Sequence, residues 1–362
     1  MNVLTVIGAR PQFVKAGPLS KALRRAGHRE VIVHTGQHYD AAMSDQIFTD
    51  LEIPAPDYNL DVRSGSHGAQ TGRMLAALEE VLLGEQPDLV IVFGDTNTTI
   101  AAALAAVKLH QKVLHIEAGL RSFNRAMPEE INRVLTDHCS DFLFAPTDSA
   151  VENLTREGLA HRTYRVGDIM VDSLLDRLEI ARERSDILAR VGVEDGGYYL
   201  LTLHRPYNVD DPKRLAAMLG ALGRLGRPVV FPAHPRTRAV LEQHALAVPE
   251  AVRLLEPQGF LDFVRLEAGA VKILTDSGGV QKEAYILGTP CVTLRPETEW
   301  VETIEAGWNV LADPEDAGFA DLVLGFDPVG AQPDLFGRNV AEEMVRCIER
   351  VMEDNGGVPE PR

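Results

Sequence analysis

Short apolar runs rich in β-branched residues alternate along the chain with longer stretches whose apolar positions recur at three- and four-residue spacing. In the first half, residues 3–7, 31–35, 89–93, 113–116 and 142–145 predict strands, while 18–26 and 74–83 predict helices. Strands that are apolar at nearly every position and separated by helices predict parallel sheets covered on both faces. The pattern restarts after about residue 170. Residues 199–203, 229–231, 252–255, 271–275 and 291–294 predict a second set of strands, and the charged stretch 174–193 a connecting helix. The boundary is expected near 167–172, where Gly167-Asp168 follows a short strand. The expected architecture is α/β: two doubly wound, Rossmann-like domains, 1–168 and 169–340, facing a ligand cleft, then a final segment 341–362 with a frayed tail. No internal repeat or low-complexity linker stands out.

A length of 362 residues agrees with roughly two domains at about 150 residues each. Lys and Arg number 36 against 53 Asp and Glu, a net charge of 36 − 53 = −17. Such an acid excess, without a basic run, argues against nucleic acid or an anionic membrane surface as partner. It says nothing against a small anion, which responds to a local site. Cys139, Cys291 and Cys347 are scattered and form neither a disulfide framework nor a metal pair, as expected in a reducing cytoplasm. The apolar start is too short for a signal peptide, and no stretch approaches a membrane span.

Four segments carry candidate chemistry. In Thr275-Asp276-Ser277-Gly278-Gly279-Val280-Gln281-Lys282-Glu283 a strand ends, a polar residue caps and two glycines open a helix. Free amides and the helix dipole there suit an anion, and Glu283 could accept hydrogen bonds from a ribose diol; a plain Ser-capped helix is the competing reading. Gly8-Ala9-Arg10-Pro11 with Lys15 follows the first strand and offers two cations to a diphosphate, or else is a solvated loop. Asp95 and Glu117 each follow an apolar strand, and Glu129-Glu130 opens a helix. Acidic helix starts are commonly structural, but carboxylates at the ends of adjacent strands suit proton transfer. His204 and His234 end strands of the second half without metal-site spacing. The sequence has no GxxxxGK[ST], no GxGxxG after a strand and no GxSxG, so ATP-driven phosphoryl transfer, a bound nicotinamide and a serine elbow are not expected.

Together these segments, with His115-Ile116-Glu117-Ala118-Gly119-Leu120-Arg121 and Pro128-Glu129-Glu130-Ile131-Asn132-Arg133, resemble the non-hydrolysing UDP-N-acetylglucosamine 2-epimerases over about residues 1–312. The resemblance implies a glycosyltransferase-B-type fold, a homodimer, a last helix crossing back to the first domain, and no cofactor or metal. It implies that Arg10, Lys15, His204 and Ser277-Gly278-Gly279 hold the diphosphate and that Gln258 and Phe263 lie near uracil. Glu283 would then hold ribose, and Asp95, Glu117 and Glu129 would transfer protons, with Lys15 and His204 assisting departure of UDP. The implied reaction inverts carbon 2 of a UDP-sugar by elimination and re-addition of UDP.

Some positions depart from the usual family pattern. Gln37-His38 is followed by Tyr39-Asp40 rather than arginine, Trp300 stands where an arginine is usual, and the loop from Ser122 to Pro128 is short. With Ser64-Gly65-Ser66-His67-Gly68, these resemble the subgroup that epimerises UDP-2,3-diacetamido-2,3-dideoxy-glucuronate. Arg125 or Arg63 would then meet its carboxylate. A hydrolysing epimerase, a glycosyltransferase of the same fold and a non-catalytic nucleotide-sugar-binding regulator are the remaining alternatives.

Overall fold

The computed structural model describes residues 1–37, 55–298 and 300–355. His38, Tyr39, Asp40, Glu299, the tail from Gly356 and the side chain of Arg10 lie outside what is described. The chain divides into two compact units, Met1–Ser173 with Phe336–Arg362, and Leu174–Leu335.

The first unit holds β1 (Asn2–Ile7), β2 (Arg29–His34), β3 (Tyr58–Asn59), β4 (Leu89–Phe93), β5 (Lys112–Ile116), β6 (Phe142–Ala145) and β7 (Thr163–Arg165). They form one parallel sheet in the order β3-β2-β1-β4-β5-β6-β7. The central strands are apolar on both faces because helices cover both, and every residue of β4 is buried. The order reverses between β1 and β4, so their exits flank the switch point where ligands collect in such sheets.

The first helix, Arg10–Arg25, starts before the expected residue 18 and contains Pro18. Proline there has no N–H for the carbonyl of Val14, four residues back. Ser173 Oγ donates to that carbonyl at 2.7 Å. The same helix, Met170–Arg184, presents Asp172, which accepts from the amides of Val340 at 3.1 Å and Ala341 at 2.7 Å. Asp172 thereby caps the closing helix Val340–Asn355, and Asp168 N–H donates to Phe336 O at 2.7 Å. Residues 169–173 and 336–340 thus lie within the first unit.

The second unit holds β8 (Tyr199–Thr202), β9 (Val229–Pro232), β10 (Val252–Leu255), β11 (Lys272–Thr275), β12 (Cys291–Thr293) and β13 (Asn309–Leu311). Its parallel order is β10-β9-β8-β11-β12-β13, with the reversal between β8 and β11. One sheet face packs Leu201, Phe231, Leu274 and Val292 against Leu215, Leu219 and Phe319; the other packs Leu200, Val230 and Ile273 against Leu266 and Ala284. The charged stretch after residue 174 continues as helix to Arg184 and resumes at Ile187–Val191. No helix among the described residues is long and apolar enough to cross a membrane. The three cysteines are free, and burial pushes the Cys291 thiol up to about 12.

Two glycines separate backbone strain from crowding. Gly119 has φ +83° and a Cβ there would meet the Ala150 carbonyl oxygen at 2.4 Å, whereas Gly158, at φ +80°, has open space around it. Gly158→Ala should lose about 1 kcal/mol from left-handed strain alone, and Gly119→Ala at least about 2 kcal/mol. Urea unfolding checks this, and equal midpoints for the two variants would contradict it.

Candidate active site

The exit of β1 is tight. A Cβ on Gly8 would stand 2.2 Å from both Thr35 Oγ1 and Thr98 Oγ1. Gln12, one turn into the first helix, turns its amide oxygen back to accept from Gly8 N–H at 2.8 Å and Ala9 N–H at 3.0 Å. Its Nε2 donates to Phe93 O at 2.9 Å, joining the exits of β1 and β4. The loop expected to offer two cations to a diphosphate has thus filled two of its own backbone amides. Lys15, from the same helix, is committed to Glu117 in an ion pair, with the two side chains 10% and 14% exposed.

The expected carboxylates sit on neighbouring exits. Asp95 follows Gly94, whose φ of +63° turns the chain after β4. Its Oδ2 lies 2.6 Å from Arg133 Nη2, and its carbonyl accepts from Asn132 Nδ2 at 2.9 Å. Glu117 follows β5 and itself occupies the left-handed region at φ +74°. A non-glycine residue is rarely held there, and such strain concentrates at functional sites.

The acidic helix start splits into two roles. Glu130 is buried and accepts from Ser122 N–H and Oγ and Phe123 N–H, each at 2.9 Å, and from Arg133 Nη1 at 2.8 Å. Burial alone would push its carboxyl up, but these donors together hold it below the usual range. Glu129, half-buried on the first turn of helix Pro128–Cys139, has no partner among the described residues. Arg133 thus links Asp95 to Glu130.

In the second unit, His204 follows β8 and is half exposed, with Nδ1 3.0 Å from Asp276 Oδ1. Asp276, fully buried after β11, also accepts from His204 N–H at 3.0 Å, Arg205 N–H at 3.1 Å and Asn208 Nδ2 at 3.0 Å. It is the anchor of the histidine loop. Ser277 caps the helix Gly278–Leu287 by accepting from Val280 N–H at 3.4 Å. The amides of Gly278 and Gly279 have no acceptor among the described residues, and a Cβ on Gly279 would meet only Ser277 Oγ, at 3.9 Å. This helix start keeps the open, polarised amides that the β1 loop has filled.

Trp300 Nε1 donates to Gly278 O at 2.8 Å, and the Lys282 ammonium lies 5.1 Å from the Trp300 ring centre. Gln258 donates to Glu256 O at 2.6 Å; Phe263 packs half-buried against the core below helix Phe260–Gly269. His234 caps helix Pro235–Gln243 by accepting from Arg236 N–H at 3.2 Å, a structural role. Gln37 accepts from Thr98 N–H at 2.9 Å. Arg63 pairs with Asp61 at 3.0 Å, while Arg125 is exposed with no partner among the described residues. Among the described residues no His, Cys, Asp and Glu cluster could hold a metal ion.

Sequence reading missed Gln12, Asn132 and Arg133 as organisers of these exits. It also missed the partner of Glu283. Glu267, on helix Phe260–Gly269, is fully buried, and neither of its oxygens receives a donor. It meets Glu283, and burial reinforced by that neighbour pushes its carboxyl well above the usual range. Burial raises Glu283 as well, against the pull of the Glu267 hydrogen bond, Lys282 and Arg177. Two carboxylates in contact in one buried site do not both ionise, so the pair retains a proton.

The fold is of the glycosyltransferase-B type: two parallel, doubly wound units, with acids on the strand exits of one and an open helix start in the other. A family model described as UDP-N-acetylglucosamine 2-epimerase matches residues 21–322. The chain is 51% identical to the UDP-2,3-diacetamido-2,3-dideoxy-D-glucuronate 2-epimerase of Pseudomonas aeruginosa, covering 86% of this chain and 88% of that one. It is 50% identical to a UDP-N-acetylglucosamine 2-epimerase homolog of Methanococcus maripaludis, covering 91% and 93%. The solved UDP-GlcNAc 2-epimerase of Methanocaldococcus jannaschii, 42% identical, superposes with a TM-score of 0.89 over 97% of this chain and 100% of that one. The same enzyme in complex with UDP-GlcNAc and UDP gives 0.77, at the same identity and coverage. The chain belongs to the UDP-N-acetylglucosamine 2-epimerase family.

The Glu267 carboxyl has a testable pH signature. Its folded pKa lies above its unfolded one, so between the two the folded state binds a proton that the unfolded state has lost. That contribution is complete below the unfolded value and drains away as pH rises through the window above it. Glu267→Gln should therefore melt progressively higher relative to wild type as pH rises above the usual carboxylate range. Melting curves whose separation does not change with pH would rule this out.

Proposed function

We propose that this protein inverts carbon 2 of a UDP-N-acetylglucosamine-type sugar by expelling UDP and adding it back. The observation that carries the reading is the placement of Asp95 and Glu117 on adjacent strand exits of one sheet, each against its own cation. Family membership supplies the reaction class, and a relative has been solved with UDP-GlcNAc and UDP.

The chemistry accounts for that inventory. Carbon 2 is next to no carbonyl, so its proton is not acidic in the intact sugar. Breaking the bond from carbon 1 to the UDP oxygen develops positive charge at carbon 1 and makes the carbon 2 proton removable by a carboxylate. The electron pair of the C–H bond becomes the C1=C2 double bond of a 2-acetamidoglycal. A second acid returns a proton to the opposite face as a UDP oxygen re-forms the bond to carbon 1. Atoms and charge balance with no redox partner.

The second unit is proposed to take the nucleotide. The open amides at Ser277–Gly279 and the half-exposed His204 oppose diphosphate charge. Glu283 takes the ribose hydroxyls, and Gln258 and Phe263 flank uracil. In the first unit Asp95, Glu117 and Glu129 are the proton-transferring candidates. Arg10 and Lys15 complete the diphosphate set, and Lys15 reaches it only by releasing Glu117. A homodimer in the cytoplasm is the proposed working form.

A second reading, the same inversion on UDP-2,3-diacetamido-2,3-dideoxy-glucuronate, is favoured by the 51% identity to an enzyme of that name. Arg125, exposed and unpaired, and Trp300 at the mouth of the open helix are the residues proposed to distinguish the two sugars.

Incubation with each sugar nucleotide in deuterated water should place deuterium at carbon 2, and the faster exchange names the substrate. Release of free sugar and UDP would identify hydrolysis instead, and absence of exchange with both sugars would defeat the epimerase reading. Asp95→Asn and Glu117→Gln should each lower kcat at least about a hundredfold with UDP affinity retained. His204→Ala should instead weaken UDP binding, read by calorimetry.

A further inference from the structure

We propose that His115 is a positioning residue for the proton-transferring acids: a buried, doubly protonated imidazolium that ties the exit of β4 to the exit of β5. The inference rests on the reading of Asp95 and Glu117 given above.

His115 lies on β5 with no solvent exposure. Its Nε2 is 2.7 Å from the carbonyl oxygen of Gly94, the residue immediately before Asp95. Its Nδ1 is 2.7 Å from Oδ1 of Asp137, on helix Pro128–Cys139. A carbonyl oxygen can only accept, so Nε2 carries a proton. The Asp137 carboxylate is also an acceptor. Its Oδ2 receives Arg121 Nη1 at 2.7 Å and the Gly119 amide at 3.1 Å, an arrangement that favours the ionised carboxylate. Nδ1 therefore carries a proton too, and the ring is positively charged.

The charges match. His115 and Arg121 are two cations; Asp137 and the partly exposed Glu157 are two anions, with Glu157 gripping Arg121 through hydrogen bonds of 2.8 and 2.7 Å and facing His138 Nε2 at 3.3 Å. His115, Asp137 and Arg121 are all essentially shielded from water. Burial alone would push the Asp137 carboxyl up, but His115 and Arg121 outweigh it and hold it below the usual range. A matched set of this kind is stable in the interior, whereas removing one member strands a charge.

The brace holds two left-handed turns. One end fixes the Gly94 carbonyl, where the chain turns at φ +63° into Asp95. The other, through Asp137, fixes the amide of Gly119, two residues beyond Glu117 at φ +74°. Glu117, a non-glycine in that region, relaxes unless its neighbours over-determine it. Since displacing a reacting group by about 1 Å can cost about a hundredfold in rate, the brace acts on turnover rather than on nucleotide binding.

The test uses the full-length protein with 15N-labelled histidine. At pH 7 the His115 ring, assigned by loss of its signals in His115→Gln, should show protons on both nitrogens; an unprotonated nitrogen overturns the proposal. Asp137→Asn, which keeps the side-chain shape, should strip the Nδ1 proton and lower kcat about tenfold to a hundredfold, with KM within about twofold of wild type. His115→Gln, which can still donate to Gly94, provides a second variant should Asp137→Asn not fold, and should show the same kcat-selective loss. Full kcat in a folded variant overturns the positioning role while leaving the proton-transfer reading intact. Full turnover in both Asp95→Asn and Glu117→Gln overturns both.

Discussion

A glutamate held in the left-handed backbone region is the constraint on which the first unit turns. Glu117 leaves β5 at φ +74° and so swings its carboxyl toward Lys15, rather than continuing the strand's alternation. Glycine adopts that conformation readily; glutamate does so only when the surroundings compel it. Gly94 and Gly119 flank it with left-handed turns of their own, and Gly119 cannot carry a side chain because the Ala150 carbonyl lies against it. The buried charges around Asp137 then fix both flanks. Strain here is local, and what opposes it is a connected set of hydrogen bonds to charged groups, the strongest kind available in a dry interior.

The second unit solves a different electrostatic problem. It keeps a helix start open to an anion and spends a fully buried aspartate, Asp276, on the loop beside it. That aspartate accepts from two amides and a side-chain amide, so it organises His204 without presenting a free negative oxygen to an anionic ligand. A net charge of −17 does not bar a local anion site of this kind, because Asp276 beside the open amides has its oxygens taken up by donors. Glu267 is the extreme case, a carboxyl with no solvent and no donor.

The strands were largely legible from hydrophobic periodicity, because a parallel sheet covered on both faces leaves apolar runs with little alternation. Helix boundaries were less so. Apolar spacing shows the first helix only from residue 18, because its opening turn, Arg10–Lys15, is largely polar, and a serine far along the chain, Ser173, takes the carbonyl that Pro18 leaves without its helical donor. The brief strands β3 and β13 are too short to carry a periodic signal. At the site, the residue types and strand ends were legible, but their partners were not. Sequence alone could not tell Glu130, saturated by amides and an arginine, from Glu129 beside it. Nor could it pair Lys15 with Glu117, or Glu283 with Glu267. His115 did leave a trace, as an imidazole in the middle of an otherwise apolar strand.

Gln12 has a consequence for how two similar sheets come to do different work. Both units place a loop at the reversal of strand order, and a loop at that place is a natural receptor for an oxygen anion. In the first unit the receptor is occupied by an oxygen belonging to the chain itself, tethered four residues from one of the amides it binds. An intramolecular occupant of this kind competes at an effective concentration that few free ligands reach. One glutamine thus closes two backbone amides of the first loop to an outside anion, leaving that loop only its side-chain cations to offer, and makes the fold's internal resemblance asymmetric.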